Sequence, residues 1–374
     1  MRRRRIVVSG MLASDPHQGG ATWAVLQYVL GLQRLGHDVT LLEPVDSLTS
    51  ARISSFSATT AAFALTRSAA LMEKRSGKTL GLSREAVRDV CTRADVLINV
   101  SGMLREPELL EKIPIRVYLD LDPAFNQYWA AADGIDVGFD SHTHFATVGQ
   151  RLGTRGCDVP TCGHDWIVTL PPVVLDRWHY AKGTTNPAFT TVGNWRAYGS
   201  IDASGTHLGQ KAHSLRGLLG IPSSSTHTFA LALAIHPDEE RDLAALRSSG
   251  WRLLDPGAVA GTTTAYRRFI QTSYAEIGIA KSGYVVSRCG WFSDRSACYL
   301  ASGRPVLAQD TGFDVALPTG DGLLAFGDEA GALAAADAVS GRYEHHRRAA
   351  RRLAEEFLGS DRVLGGLLAA VGAA

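Results

Sequence analysis

Short apolar runs alternate with stretches of helical periodicity along most of the chain, which is the pattern of an α/β protein. The runs 6–8, 96–100 and 229–235 are almost continuously apolar, as is typical of strands buried on both faces of a parallel sheet. Between them, the apolar positions recur every three to four residues, beginning after Thr22. The pattern predicts strands alternating with helices around parallel sheets.

A proline-rich stretch without periodicity divides the chain. Leu170-Pro171-Pro172 and Asn186-Pro187 bracket it. We therefore predict an N-terminal domain over 1–172, a linker over 173–188, a C-terminal domain over 189–358 and a final segment over 359–374. A length of 374 residues suits two α/β domains better than one core.

Composition narrows the class of protein. The 45% hydrophobic and 20% charged residues are ordinary for a globular enzyme, and the net charge of +1 argues against a general nucleic-acid binder. We therefore expect no nucleic-acid partner. No apolar run approaches the roughly 18 residues of a membrane span. Five cysteines, an odd number, fit reduced thiols in the cytoplasm, and Cys157, Cys162 and His164 lack a fourth ligand for a metal site.

The stretch 282–313 has the strongest local pattern. The pattern predicts strands over Tyr284–Ser287 and Val306–Ala308. Between them, Ser293 and Asp294 are favourable N-cap residues for a helix, and Gly303 ends that helix. This predicts one βαβ step. Because a helix start presents unpaired N–H groups, it favours a diphosphate ligand at Ser293.

The run YLASGRPV, at 299–306, resembles the donor-site helix and turn of GT-B glycosyltransferases. The resemblance implies two Rossmann-like domains facing across a cleft, with a nucleotide-sugar on the C-terminal domain and the acceptor on the N-terminal one. It also implies a final segment that crosses back to the N-terminal domain. Retaining enzymes of this architecture carry two glutamates here, but those places hold Gly290 and Cys298. The stereochemistry is therefore left open.

The donor-binding candidates follow from these patterns. Ser293 and Arg295 are expected at the phosphates, and the resemblance implies that Arg196 or Lys211 neutralises the leaving group. A carboxylate at Asp310 is expected on sugar hydroxyls in preference to Asp294, and Trp291 and Phe292 either wall the sugar pocket or pack the loop on the sheet. The full set is Gly19, Gly20, Asn194, Trp195, Arg196, Lys211, Trp291, Phe292, Ser293, Asp294, Arg295, Asp310, Thr311 and Gly312.

Four residues are candidates for a catalytic base in an inverting reaction: His17, Asp120, His142 and His144. Asp120-Leu121-Asp122 superficially matches a metal-binding D-x-D, but we favour a cleft-facing acid or acceptor anchor because Pro123 ends the strand there. His142 and His144, one residue apart, are candidates for a base or zinc ligands, or simply mark a strand end with one histidine buried.

These observations predict a glycosyltransferase that moves a sugar from a nucleotide-diphosphate donor to the hydroxyl or amine of a small-molecule acceptor, in specialised metabolism, with no obligatory metal or cofactor. Two alternatives stay open: a nucleotide-sugar epimerase or hydrolase on the same fold, and a non-catalytic sugar- or nucleotide-binding protein. A homodimer is also left open.

Overall fold

Two mainly parallel sheets, each covered by helices, form the protein in a computed structural model that describes residues 2–203 and 205–374. The N-terminal sheet contains β1 (Arg5–Ser9), β2 (Asp38–Val45), β3 (Ala69–Glu73), β4 (Thr79–Gly81), β5 (Val96–Val100), β6 (Ile115–Asp120), β7 (His144–Thr147) and β8 (Trp166–Val168). The C-terminal sheet contains β9 (Asn186–Asn194), β12 (Thr228–Ala234), β13 (Arg252–Leu253), β14 (Ser273–Gly278), β15 (Val306–Gln309) and β16 (Leu323–Phe326), and β10 (Ile201–Ala203) pairs with β11 (Thr206–Leu208) in a separate hairpin.

The helices lie between these strands in sequence. In the N-terminal half they are α1 (Gly19–Arg34), α2 (Ser50–Ala62), α3 (Arg84–Arg93), α4 (Pro107–Leu110) and α5 (Phe125–Ala131). In the C-terminal half they are α6 (Lys211–Arg216), α7 (Glu240–Ser248), α8 (Pro256–Ala260), α9 (Thr263–Thr272), α10 (Ser282–Ser287), α11 (Asp294–Ala301), α12 (Glu329–Gly341), α13 (Tyr343–Leu353) and α14 (Ser360–Ala370). Short 3-10 helices cover Phe139–Ser141 and Phe313–Val315, and a π-helical turn covers Ala354–Leu358.

The strand orders place a crevice in each sheet. The N-terminal order is β4-β3-β2-β1-β5-β6-β7-β8, antiparallel only between β3 and β4, and the C-terminal order is β13-β12-β9-β14-β15-β16, parallel throughout. The order reverses beside β1 and beside β9, and ligands of open α/β sheets bind at the carboxyl ends of strands at such points. The carboxyl ends of both sheets face one cleft, which confirms the predicted α/β fold of two Rossmann-like units.

The two halves are joined by helix contacts and by arginines. Helix α14 packs on α1, where a Cβ at Gly31 would meet Leu364 at 2.5 Å. The Arg347 guanidinium is buried and donates to the carbonyls of Ala181 and Gly303, and Arg351 donates to the carbonyl of Trp178. Arg348 and Arg352 of the same helix are exposed, whereas Arg347 and Arg351 fix the segment between the sheets.

The predicted βαβ step at 282–313 is confirmed in its second half and wrong in its first. Helix α11 begins after its N-cap Ser293, whose hydroxyl accepts from the Arg295 N–H, and β15 follows the turn at Gly303. The run 284–287, however, belongs to helix α10, and the strand of this step is β14. A run of three apolar residues does not distinguish helix from strand, and here burial of Tyr284 against the N-terminal half decides.

Within residues 2–203 and 205–374, no helix is both long and apolar enough to cross a membrane. All five cysteines are free thiols, as expected.

Candidate functional site

A cleft of about 440 Å³ lies between the carboxyl ends of the two sheets. The loop after β1 and Leu121 after β6 line it from the N-terminal half, and the ends of β9 and β12 line it from the C-terminal half. Its lining residues are His17, Gln18, Gly20, Ala21, Ala24, Leu121, Val192, Gly193, Asn194, Ala234, Pro256, Gly257, Ala260, Tyr266, Asp294 and Arg295.

Two helix starts open onto this cleft. Gln18, Gly20 and Ala21 belong to the start of α1, and Asp294 and Arg295 to the start of α11. The first N–H groups of a helix have no intrahelical partner and carry the positive end of the helix dipole. The cleft therefore offers backbone donors to an anion from both halves of the protein.

The glycine pair at the start of α1 allows this convergence. A Cβ at Gly19 would lie 2.3 Å from the carbonyl oxygen of Thr262, and one at Gly20 would lie 2.8 Å from the Tyr266 ring. Trp23 continues the contact, since its indole N–H donates to the carbonyl of Thr263 at 2.9 Å. Both glycines were predicted as donor-binding residues; the structure packs them against the start of α9, and Gly20 also lines the cleft.

Beneath the cleft floor lies a buried pair of cations. The Arg295 guanidinium contacts the carboxylate of Glu276 and donates to the carbonyl of Val192 at 3.0 Å, and its Nη2 has no hydrogen-bond partner among the residues that the structure describes. Lys211 is 7% exposed and its ammonium meets the carbonyl of Ile279. A Cβ at Gly193 would lie 3.8 Å from both Arg295 Nη1 and Lys211 Cε.

Burial sets the electrostatics of this pair. It lowers the pKa of Lys211 well below its usual range, with the Arg295 charge as the next cause. Burial also disfavours the charge of Arg295, but the Glu276 carboxylate outweighs it, so the pKa of Arg295 is raised. Glu276 pairs with Arg295, and an anion in the cleft would bring a second negative charge close to Arg295 and to the neighbouring Lys211.

The aromatic residues before α11 line a second, smaller cavity of about 30 Å³. Trp291 and Phe292 face it together with Tyr28 and Asp294. Trp291 also stacks on Tyr284 with ring centroids 4.5 Å apart. Trp291 thus packs its loop against Tyr284, as one of its two expected roles required, and it lines this small cavity rather than the main cleft.

The structure places the remaining donor candidates outside the cleft, which corrects their expected role. Trp195 is buried in the C-terminal core, where its indole N–H donates to Asp242, and Arg196 pairs with Glu239 at the surface. Asp310 binds Arg288 at 3.1 Å and the N–H of Gly312. Thr311 holds the loop by donating to the carbonyl of Trp291, and Gly312 packs against Arg151.

Of the four base candidates, only His17 lines the cleft. It adopts a left-handed backbone conformation, with φ of 73°. Asp120 is fully buried, and its carboxylate accepts hydrogen bonds from Asn126, Gln127 and Thr147, so it does not face the cleft as expected. The expectation fails because Asp120 still belongs to β6 and points into the helix layer.

The two histidines of the 142–144 segment are also away from the cleft. His142 is buried between the side-chain amide of Asn99 at 3.0 Å and the carbonyl of Gly138 at 2.7 Å, and burial lowers its pKa to about 4. His144 contacts the hydroxyl of Thr143 at 2.9 Å. Within the described part of the chain, no group of three His, Cys, Asp or Glu residues is arranged to hold a metal ion.

A polar cluster that sequence reasoning missed joins the two halves beside the cleft. The ammonium of Lys281 lies 2.9 Å from the Asp122 carboxylate and 4.1 Å from the centroid of the Tyr198 ring. The hydroxyls of Tyr198 and Tyr284 also donate to Asp122. These residues come from three segments that are far apart in sequence, so only the fold brings them together.

Comparison with solved structures identifies the fold. An α-glucosyltransferase in complex with UDP-glucose and DNA containing an abasic site aligns over 99% of this chain and 100% of its own, with a TM-score of 0.66 and 11% identity. Anabaena Alr3699/HepE in complex with UDP and glucose aligns over 98% of this chain and 100% of its own, with a TM-score of 0.57 and 9% identity. Neither protein-family models nor curated protein sequences give a match. The likeness shows that this chain has the GT-B fold.

The comparison also overturns one expectation, that nucleic acid is excluded as a partner. Several structures with this fold are complexes of the α-glucosyltransferase with DNA, including a 13-mer containing an HMU base. A net charge of +1 measures the whole surface and says little about a local set of phosphate contacts. The composition argument was therefore too coarse.

Proposed function

We propose that the protein is a glycosyltransferase that takes its sugar from a nucleoside-diphosphate donor bound in the cleft. The observation that carries the proposal is the convergence of two helix starts with Arg295, which lines the cleft and whose Nη2 has no hydrogen-bond partner among the described residues. The buried Lys211 lies next to Arg295, behind Gly193. A diphosphate matches this set of backbone donors and charges. The GT-B fold supports the proposal, since glucosyltransferases complexed with UDP or UDP-glucose share it.

The chemistry required of these groups is stabilisation of the leaving diphosphate. As the glycosidic bond to the donor breaks, negative charge grows on the diphosphate oxygens. The N–H groups of α11 and the charges of Arg295 and Lys211 are already in place, so they stabilise that charge without reorganising. We propose that this is sufficient without a metal ion, a point that the Mg²⁺ arm of the assay below decides.

The acceptor enters, in our proposal, from the N-terminal half past His17. If the reaction inverts the anomeric centre, His17 is the base that removes the acceptor proton, because no other base candidate lines the cleft. We propose a hydroxyl or amine as the nucleophile. A panel of small-molecule acceptors, run beside duplex DNA containing an HMU base, decides the class of acceptor.

The first test is a thermal-shift panel of UDP, GDP, dTDP, CDP and ADP, with and without Mg²⁺. A ligand at 100 times its Kd stabilises the native state by about 2.7 kcal/mol, which gives a clear shift in Tm. Lys211→Met is expected to weaken diphosphate binding about tenfold or more, because it removes a charged donor from a buried site. Lys182→Met, at an exposed linker lysine, is the matched control and should bind as the wild type does.

The proposal is wrong if none of the five diphosphates raises the Tm, or if Lys211→Met and Lys182→Met bind equally well. Turnover then separates the classes of enzyme. Release of the nucleotide from a donor only when an acceptor is present marks a transferase, whereas release or isomerisation of the sugar without any acceptor marks the hydrolase or epimerase alternative.

A further inference from the structure

One carboxylate stands where the cleft narrows into the small cavity. Asp294 lines both, together with Ala24 and Leu121. Among the described residues that line either space, Asp294 is the single acidic one. The wall of the small cavity is otherwise apolar or aromatic, with Tyr28 and Phe292 close by.

No side chain among the described residues forms an ion pair with the carboxylate of Asp294, which accepts only from backbone N–H groups at the start of α11. Its neighbour Arg295 is committed to Glu276, and Asp294 forms no salt bridge within the described part of the chain. Burial raises the pKa of Asp294, and the charge of Arg295 and the backbone N–H groups at the start of α11 offset this only in part. An ionised carboxylate accepts hydrogen bonds at both oxygens, and sugar hydroxyls are donors of matching size.

Neither place that holds a glutamate in retaining GT-B enzymes can supply such a carboxylate here. Gly290 has φ of 79°, and a Cβ there would lie 2.9 Å from the backbone nitrogens of Gln150 and Arg151. Cys298 is buried under α1, where its Sγ accepts from the amide of Gln27 at 3.5 Å. Both positions are therefore used for contacts between the two halves of the protein.

A donor bound as proposed above would bring its sugar to Asp294. The nucleotide belongs over the C-terminal sheet, near Pro256 and Gly257, because ligands bind beyond the strand ends there. With the diphosphate at the start of α11, the sugar extends toward Leu121 of the N-terminal half, and Asp294 lies on that path.

We propose that Asp294 binds hydroxyl groups of the donor sugar and thereby selects the sugar, in place of the absent glutamates. The inference rests on the proposed donor site and adds the residue that recognises the sugar hydroxyl groups. It assigns to Asp294 the role that the sequence had suggested for Asp310, which lies outside the cleft on Arg288.

The test separates binding of the nucleotide from binding of the sugar. Calorimetry measures the Kd of UDP, UDP-glucose and its 3-deoxy-3-fluoro and 4-deoxy-4-fluoro derivatives, since fluorine cannot donate a hydrogen bond. If the diphosphate panel shows that the protein prefers another nucleobase, the same sugar derivatives are prepared with that nucleobase. For the wild type, we expect at least one fluoro donor to bind about tenfold or more weakly than the parent hexose donor.

The variants then assign the effect. Asp294→Asn, which keeps the size of the side chain, should bind UDP within about twofold of the wild type but lose the discrimination between hexose and fluoro donors. Asp310→Asn is the matched control and should keep both properties. Asp294→Asn should also melt no lower than the wild type, because it removes a charge that burial disfavours. If it does not fold, Asp294→Glu, which displaces the carboxylate by one methylene, should retain UDP binding with reduced discrimination.

The outcomes distinguish the proposed role of Asp294 from the proposed donor site on which it rests. No binding of any nucleoside diphosphate refutes both. Binding of UDP with wild-type discrimination in Asp294→Asn, or an equal loss of UDP and UDP-glucose binding, refutes the sugar-reading role alone. A loss of discrimination in Asp310→Asn instead would return the role to Asp310.

Discussion

The ion pair of Lys281 and Asp122 should hold the two halves of the protein together, and Lys281→Met tests this. The two side chains are only 18% and 21% exposed, and the ammonium lies 2.9 Å from the carboxylate. Removing one partner of a buried ion pair costs about 3–5 kcal/mol. Residual solvent contact and the two tyrosine hydroxyls on Asp122 reduce that figure, so we expect a loss of about 2–3 kcal/mol in the free energy of unfolding.

A matched control is present in the same chain. Lys74 and Asp46 also lie 2.9 Å apart, but their side chains are 51% and 81% exposed. Lys74→Met therefore makes the same substitution in a pair that water and salt screen, and it should change the stability far less. Urea denaturation followed by tryptophan fluorescence measures both variants, since three of the seven tryptophans lie in the N-terminal half, three in the C-terminal half and Trp178 in the segment between them.

A double-mutant cycle with Asp122→Asn isolates the pair from other effects of the substitution. Because the pair bridges the halves, Lys281→Met should also separate the denaturation curve into two transitions. The reasoning is refuted if Lys281→Met costs no more than Lys74→Met, or if the coupling energy in the cycle is below about 0.5 kcal/mol.

Three further predictions concern pH, backbone geometry and the connecting segment. Because the pKa of His142 is lowered to about 4, its contribution to stability is present above pH 6.5 and is lost as the pH falls toward 4. The Tm of His142→Asn should therefore fall less steeply over that window than the Tm of the wild type, and an equal dependence of Tm on pH would contradict the assignment. Gly290→Ala should destabilise the protein by about 2 kcal/mol or more and Gly134→Ala by only about 1 kcal/mol. Both glycines have positive φ, but of the two only Gly290 would bring a Cβ against backbone atoms. Equal urea midpoints for the two variants would refute this. Arg347→Met should lower the Tm more than Arg348→Met, because Arg347 is buried on carbonyl groups while Arg348 is exposed, and similar melts would show that the buried contacts do not matter.

Helix α11 shows what local sequence can establish about the site. Ser293 is an N-cap by residue type, the apolar spacing fixes the helix, and the Gly303-Arg304-Pro305 turn ends it. All of these interactions join residues within about ten positions. The start of α11 and its suitability for an anion were therefore predictable, and so was the buried strand that follows.

Asp310 and Asp294 show where such reasoning fails. Both are acids beside strand or helix ends, and residue type gave Asp310 the better prospect because it follows a buried strand. In the folded protein Arg288 and the N–H of Gly312 engage Asp310, whereas Asp294 faces the cleft. Which carboxylate is free depends on partners supplied by other segments, and the local pattern does not contain them.

The sequence by itself determined the α/β class, the alternation of strands and helices, and the helix start on which the proposed donor site is built, because periodicity, caps and turns are local properties of the chain. Only the tertiary structure decided which polar side chains reach the cleft. It turned Asp120 and His142 into buried hydrogen-bonded groups, brought Lys281 to Asp122 across the two halves, and set Lys211 beside Arg295. Those pairings depend on how two sheets meet, which arises from the packing of the whole chain.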